Sequence, residues 1–315
     1  MFLSVGVRFE ANVEALNMVE TAGNYTKHRR VPYLVEEDGK LKTVYVPALS
    51  GESLAHAYQE HLAREALSIG LPVCDDCRRN EFFKSMNKAH LKKKIDPIPE
   101  DPKKIEEAIV KACVIEDVGG FLYAEKPPVR RTSAFQVSYA LPVKSAALFA
   151  TSEPQLHARH AQINASSKKG NVSEQMIYYV ETGTALYGFT FNLDLDAIGV
   201  SAITSGPILE EDEIKARREV ALKALFRMLS SSQFGAKLSR FFPVGGITEL
   251  VITVTEHPFV VTSPIYNNYI DRTQKRLAVL KEFGEEYFFT VADENKVPEE
   301  ALKEAIDYLR EKGAF

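Results

Sequence analysis

The chain opens on strict alternation, with Leu3, Val5, Val7 and Phe9 apolar against Ser4, Gly6, Arg8 and Glu10. A period of two is the mark of a half-buried strand, so Phe2 to Ala11 is predicted to be one. Asn12 to Pro32 shows no such period and is predicted to be a loop with short irregular elements. Tyr33-Leu34-Val35 and Thr43-Val44-Tyr45-Val46 flank Asp38-Gly39, a hairpin signal. Leu54, Tyr58 and Leu62 then fall on one helical face, which predicts a helix over Leu54 to Leu67, closed by Gly70-Leu71-Pro72.

From Cys74 to Ala124 the alternation is broken by basic helical pieces, by Pro97, Pro99 and Pro102, and by a helical Lys103 to Val114. Strand patterns return over Thr132 to Val143, Ala146 to Ala150 and Met176 to Leu195, and again at Thr248 to Thr255 and Glu286 to Thr290. Ile214, Ala221, Leu225, Phe226 and Leu229 give Glu211 to Leu229 one apolar helical face, and Pro298 to Lys312 reads as a closing helix. This order predicts an α+β fold: a modified RRM- or ferredoxin-like antiparallel sheet with helices on one face. The core is expected over 1–69 and 125–315, with a mostly helical insertion at 70–124. Thr151 to Ser173 is polar and contains Ser166-Ser167-Lys168-Lys169-Gly170, so it is expected to be a mobile, thumb-like loop.

Composition narrows the class. The 315 residues are 45% hydrophobic and 26% charged, which excludes a disordered or collagen-like chain. No stretch of 18 apolar residues occurs, so no membrane partner is expected, and the first residues lack a signal-peptide pattern, so the expected location is the cytoplasm. The net charge of −4 argues weakly against a nucleic-acid partner, but its distribution does not. Thr21 to Val35 carries Lys27, Arg29 and Arg30 with no acid, and Lys126 to Ser152 carries Lys126, Arg130, Arg131 and Lys144 with no acid. Acids gather at Glu210 to Glu213 and in the C-terminal segment. Such segregation suits a polyanion-binding face; solvated helix faces explain any single run equally well.

Several groups carry chemistry that fits such a face. Ser50-Gly51-Glu52-Ser53 precedes a helix, where backbone N–H groups meet a dipole end; Ser50 or Ser53 is equally an ordinary N-cap. Gln155, His157, Arg159 and His160 offer donors and planar groups within one short run, and His28 beside Lys27 and Arg29 repeats that pattern with Tyr25 as a stacking surface. Gly245-Gly246 marks either a close backbone approach to a ligand or a tight turn. Cys74-Asp75-Asp76-Cys77 is half a zinc knuckle or a redox pair, and Cys113 is the third cysteine; with no second such pair in the sequence, unmodified thiols are the expectation, with no metal or other cofactor. No hydrolase, zincin or dinucleotide motif occurs, so no catalytic residue is assigned and the chain is not expected to be an enzyme.

Taken in order, Val5-Gly6-Val7-Arg8-Phe9, Glu14-Ala15-Leu16-Asn17, Gly23-Asn24-Tyr25-Thr26-Lys27-His28-Arg29, Val46-Pro47-Ala48-Leu49-Ser50-Gly51-Glu52-Ser53-Leu54-Ala55-His56, Pro154-Gln155-Leu156-His157-Ala158-Arg159-His160 and Tyr187-Gly188-Phe189 resemble the DevR-type CRISPR autoregulator family. Within it the match is nearest the archaeal type I-A Cascade backbone subunits, the apern-subtype branch of the Cas-seven superfamily. The resemblance is strongest over 1–65 and 130–250. It implies an RRM-like palm, copies stacked as a helical filament along a CRISPR RNA, a protruding element that pushes between bases, and pairing of the guide with target DNA beside other Cascade subunits. It also implies that cutting is done elsewhere, and it places Asn24 to Arg29, Ser50 to His56 and Gln155 to His160 at RNA-facing positions. Arg130, Arg131, Gly245 and Gly246 complete the expected RNA-binding set. The Cys74-to-Cys77 pair is not a hallmark of the family. Repeat-RNA cleavage and sequence-specific DNA binding are the competing activities.

Overall fold

The computed structural model describes residues 1–12, 17–150, 153–162, 173–235, 238–239 and 242–315, with backbone alone for residues 12, 18–22, 159–162 and 173–176. The chain opens with β1 (Phe2–Asn12), β2 (Met18–Ala22), β3 (Tyr25–His28), β4 (Arg30–Glu37), β5 (Lys40–Pro47) and α1 (Gly51–Ser68). The helical segment follows as α2 (Asp75–Arg78), α3 (Lys88–Leu91), α4 (Pro102–Ala112) and α5 (Val114–Gly119). Then come β6 (Phe121–Tyr123), β7 (Val129–Arg131), β8 (Phe135–Val137), β9 (Leu141–Pro142), β10 (Glu153–Gln162), β11 (Ser173–Thr182) and β12 (Thr184–Asp194). The remainder is α6 (Glu211–Ser231), β13 (Gly246–Thr255), α7 (Tyr269–Glu282), β14 (Tyr287–Ala292) and α8 (Pro298–Glu311).

The alternating first strand becomes the centre of the molecule. The main sheet runs β14-β13-β1-β12-β8, with β9 also on β12, and its pairs are antiparallel. Taking β1, β8, β12 and β13 as four strands, with α1 after the first and α6 after the third, gives the spatial order fourth-first-third-second of a split βαβ unit. Leu3, Val5, Val7 and Phe9 are buried in one core with Leu54, Tyr58 and Leu62 of α1 and Ala221, Leu225 and Leu229 of α6. The same core takes in Cys77, Cys113, Val114, Ile115 and Val118, so the helical segment 70–124 shares the core of the sheet.

Two features differ from the sequence expectation. The second face of the sheet is also covered, because Val251 of β13 packs with Val261 and Tyr269, and a Cβ on Gly6 would stand 3.2 Å from Val261. Arg8 reaches across it to the carbonyls of Pro264 and Tyr266 at 2.8 and 2.7 Å and to Glu249 at 2.8 Å. An RRM stacks bases on that face; here it holds the chain's own α7 and the loop before it. Secondly, Asn12 to Pro32 contains β2, β3 and the start of β4 rather than a loop, Glu153 to Gln162 is a strand rather than part of a loop, and Ala146 to Ala150 is a helical turn following a single 3-10 turn at Lys144–Ala146. The rest of the expected loop over 151–173 lies largely at 163–172, outside the described residues. The expected hairpin is β4–β5, turning at Asp38 and Gly39 with φ of 52° and 71°, the conformation of a type I′ turn.

Candidate nucleic-acid interface

The two cationic segments that look unrelated in sequence meet in one element. A second sheet runs β10-β11-β3-β2, with β11 antiparallel to β10 and parallel to β3. Only Gly183 separates β11 from β12, so this sheet grows directly out of the central one. Leu156, Ile177, Tyr178 and Tyr179 are all exposed, and because neighbouring residues on a strand face opposite ways, both faces of the β10–β11 ribbon are open. Asn24 ties β3 to β11: its carbonyl accepts from Tyr179 N at 2.8 Å and its Nδ2 donates to Ile177 O at 3.2 Å.

The residues divide between the faces. Tyr25 and the exposed Lys27 lie with Tyr179 on one side, the two tyrosine rings 6.2 Å apart. Gln155 and His157 lie with Tyr178 on the other, the imidazole stacked on the phenol at 5.2 Å and 10°. His157 Nε2 is buried without a hydrogen-bond partner among the described residues. Arg159 and His160 stand opposite Met176 and Gln175 further along the ribbon. The sheet therefore offers stacking rings on both sides, with a cation beside one pair and an imidazole in the other, a combination suited to a single strand's backbone and bases.

At the root of this sheet sits the Ser50 turn. Ser50 is the N-cap of α1: its Oγ accepts from Ser53 N at 3.2 Å, and its own N–H donates to Asn17 Oδ1 at 3.2 Å. The capping role left open by the sequence is thus filled, within the described structure, by Ser50. Gly51 is where β8 comes closest, since a Cβ there would lie 2.9 Å from the Val137 carbonyl. Asn17 also accepts from Arg29 N at 3.1 Å, so it fastens the Tyr25–Arg29 run to the helix start. Arg29 points its Nη1 at the exposed Tyr139 hydroxyl, 3.5 Å away, and its Nε is buried with no partner among the described residues.

Other expected contacts are placed elsewhere. His28 is turned inward: it is buried, its Nε2 accepts from Asn17 N at 3.1 Å, its Nδ1 lies 2.9 Å from Arg29 O, and its N–H donates to Glu181. It fixes the run rather than presenting a cation. Arg131 is buried too. Its Nε donates to Asp117 O at 2.9 Å, Nη2 to Asp117 Oδ1 and Ala197 O at 2.6 Å each, and Nη1 to Glu106 Oε1 at 3.2 Å and to the Val200 carbonyl. All five donors are used inside the protein, so it has none left for RNA. Arg130 is exposed on the β6–β7 hairpin, which packs on α4 and lies outside the second sheet. His56 is exposed beside Phe82 and 3.3 Å from Glu60. Gly246 begins β13 and Gly245 immediately precedes it, where a Cβ on Gly245 would lie 2.3 Å from Glu10 Cβ; this is the end of β1 from which the second sheet departs, and Val244 beside them is 86% exposed.

Comparison with known proteins agrees with this architecture. Residues 5–274 match the family described as CRISPR-associated negative auto-regulator DevR/Csa2. The chain belongs to the DevR/Csa2 family. Among its relatives, the CRISPR-associated aCascade subunit Cas7/Csa2 2 of Saccharolobus solfataricus is 39% identical over 89% of this chain and 87% of its own length. CRISPR-associated protein Cas7/Cst2/DevR of Methanocaldococcus jannaschii is 31% identical over 90% and 91%. In fold, the chain is similar to a chain of a CRISPR RNA-guided surveillance complex, pre-nicking, with a TM-score of 0.51 at 13% identity and full coverage of both. The family match spans both cationic segments, the Ser50 turn and all three cysteines.

Tyr178, Tyr179 and Tyr139 were not singled out from sequence. The sequence shows Tyr178-Tyr179 only as part of an apolar strand run, Met176 to Val180; their pairing with β3, and that of Tyr139 with Arg29, becomes visible only once the strands are aligned. No described helix is long and apolar enough to cross a membrane. The described groups that could hold a metal are Cys74, Cys77, Cys113 and Glu116, whose ligand atoms all lie within 4.8 Å of one another. Burial pushes the Cys113 thiol up, to about 12.

Proposed function

We propose that the chain is the non-catalytic, guide-RNA-binding backbone subunit of a type I-A Cascade complex, and that its copies stack along one RNA as a helical filament. The observation that carries this reading is the second sheet, which joins the Asn24–Arg29 run to β10 in an element open on both faces. Phosphates are held by Lys27 and Arg29 beside the positive dipole end of α1; bases meet the tyrosine and imidazole rings of the ribbon. These contacts are with backbone and ring faces, which every sequence offers, and that is what a protein holding many different guides requires. The β10–β11 ribbon is the element that pushes between bases at intervals. The guide is left to pair with target DNA, other Cascade subunits complete the complex, and cleavage lies outside this chain.

Two properties test the reading together. RNA affinity falls steeply with salt, because each neutralised phosphate releases counterions, and unrelated RNAs of equal length bind within a few-fold of one another. A hundredfold preference for one sequence contradicts it, as does RNA turnover by the purified chain that is lost on His157→Ala or His160→Ala; the latter result establishes a nuclease.

A further inference from the structure

The cysteines the function does not use form a site of their own. Cys74 caps the N-terminus of the short α2 and Cys77 lies within it; Cys113 caps α5 and Glu116 lies in its first turn. Each pair has two residues between its members, so the chain presents Cys-x-x-Cys and Cys-x-x-Glu from two helix starts that face each other. The sequence shows half a knuckle; the fold supplies the other half. Cys77, Cys113 and Glu116 are fully buried and Cys74 is half-buried. A tetrahedral zinc with sulfur at about 2.3 Å has ligand–ligand edges of about 3.8 Å. The Cys74 Sγ to Glu116 Oε1 edge is already 3.6 Å.

We propose that Cys74, Cys77, Cys113 and Glu116 bind one zinc ion as a closed, structural site that pins the helical segment to the main core. Three soft thiolates and a carboxylate in a four-ligand set suit zinc and leave no open position for catalysis. The surroundings are those of a ligand shell. Ser85 Oγ donates to Glu116 Oε2 at 2.6 Å, and Lys94 Nζ lies 2.8 Å from Oε1 and 2.8 Å from Ser85 Oγ, which orients the carboxylate while Oε1 keeps a lone pair for the metal. The other nearby carboxylate, Asp76, is taken up by His90 at 2.6 Å and by Lys93 and Arg79 at 2.8 Å each, so it is not a competing ligand.

Charge gives an independent argument. Lys84 is held on Gly119 O at 2.7 Å, within electrostatic reach of Cys77, Cys113 and Glu116, and among the described residues it has no carboxylate partner of its own. With three neutral thiols, the single carboxylate Glu116 faces two ammonium groups. With three thiolates, one carboxylate and a divalent metal, the net charge of the site is −2 and the two lysines balance it. Binding releases one proton from each thiol that ligates. A cleft of about 200 Å³ lined by Cys74, Asp75, Asp76, Lys93, Lys94 and Ala112 gives the ion a route in from solvent on the Cys74 side.

The test uses the full chain purified without chelators, with zinc measured by elemental analysis and thiols counted under denaturing conditions. One zinc per chain and three reduced thiols are expected, and a mercurial that caps the thiols releases the metal to a chromogenic dye. Cobalt substitution is expected to give the visible bands of a tetrahedral site and a sulfur-to-metal charge-transfer band, which falls by one third in Cys74→Ser. Glu116→Gln is expected to shift the visible bands while the charge-transfer intensity holds. Protein with reduced thiols and less than a tenth of an equivalent of zinc overturns the proposal. So does a mass two hydrogens short, which reports a disulfide, or iron in place of zinc. Should Cys74→Ser fail to fold, the wild-type stoichiometry and cobalt spectrum decide the matter without it. None of these readouts involves RNA, so they stand or fall apart from the proposed function.

Discussion

Arg29 and Arg131 sit in basic, acid-free runs that look alike on paper, and the fold gives them opposite tasks. Arg131 is enclosed by Glu106, Asp117 and three carbonyls, while Arg217 next to it bonds Asp117 Oδ2 at 3.0 Å and Glu213 Oε1 at 2.6 Å. Asp117 accepts further from Gly199 N, and Glu106 from Ser201 Oγ and Ala202 N. This network is saturated and buried. Around Arg29 the only described side-chain partner is a tyrosine hydroxyl at the limit of hydrogen-bond length, with Nε unmatched among the described residues, and Lys27 is exposed. Charge in a run is therefore ambiguous; what separates a structural arginine from a ligand-binding one is whether its donors are already spoken for.

The largest expected effect breaks the saturated side of the comparison. Arg131→Met leaves Glu106 and Asp117 buried with a partner missing, a loss of about 3–5 kcal/mol read by denaturant unfolding. Unchanged stability means the network is not closed. Next, Lys27→Ala with Arg29→Ala makes the slope of log affinity against log salt shallower by about 1.4, as loss of two phosphate contacts on a single strand requires. Stability moves far less than in Arg131→Met, Lys27 alone accounting for about 0.5 kcal/mol or less. An unaltered slope removes these residues from the interface. Ser50→Ala, which deletes the α1 cap, costs about 1 kcal/mol, visible as a shift in the thermal midpoint.

The smallest effect is a pH dependence. Burial holds the His61 imidazole below its ordinary pKa, with Arg64 adding to the shift. The unfolded chain then binds a proton the folded one refuses, so this contribution is complete above the unfolded value of about 6.5 and is lost as pH falls from there toward the folded value. His61→Gln is expected to flatten the fall in thermal midpoint over that range; a fall of equal size in both proteins assigns it to other groups.

Much of the fold was legible because alternation and helical faces are local. The first strand, the Asp38-Gly39 hairpin, α1, α6 and α8 follow from residue pattern alone. β2 and β3 were not legible, because both are short and β3, on which β2 pairs, gains its other neighbour from β11, far along the chain. α7 was missed as well: Tyr269, Thr273 and Leu277 are its buried positions, too narrow a stripe to stand out among charged neighbours. At the candidate interface, sequence identified both cationic segments but not that one sheet joins them, nor that His28 and Arg131 turn inward. Whether such a side chain turns inward depends on partners such as Glu181, which takes the His28 backbone N–H from more than a hundred residues away, and Asp117, which pairs with Arg131 from a separate helix.

The central claim is that copies of this chain line up on one RNA, and the length of the assembly tests it most directly. The purified chain is mixed with unstructured RNA of guide length and of twice that length, and the particles are counted by subunit number in electron micrographs. The account predicts little association without RNA, extended filaments with it, and roughly twice as many subunits on the doubled strand, because neighbours on one strand meet at high effective concentration. A closed ring of one fixed size, whatever the RNA length, contradicts it.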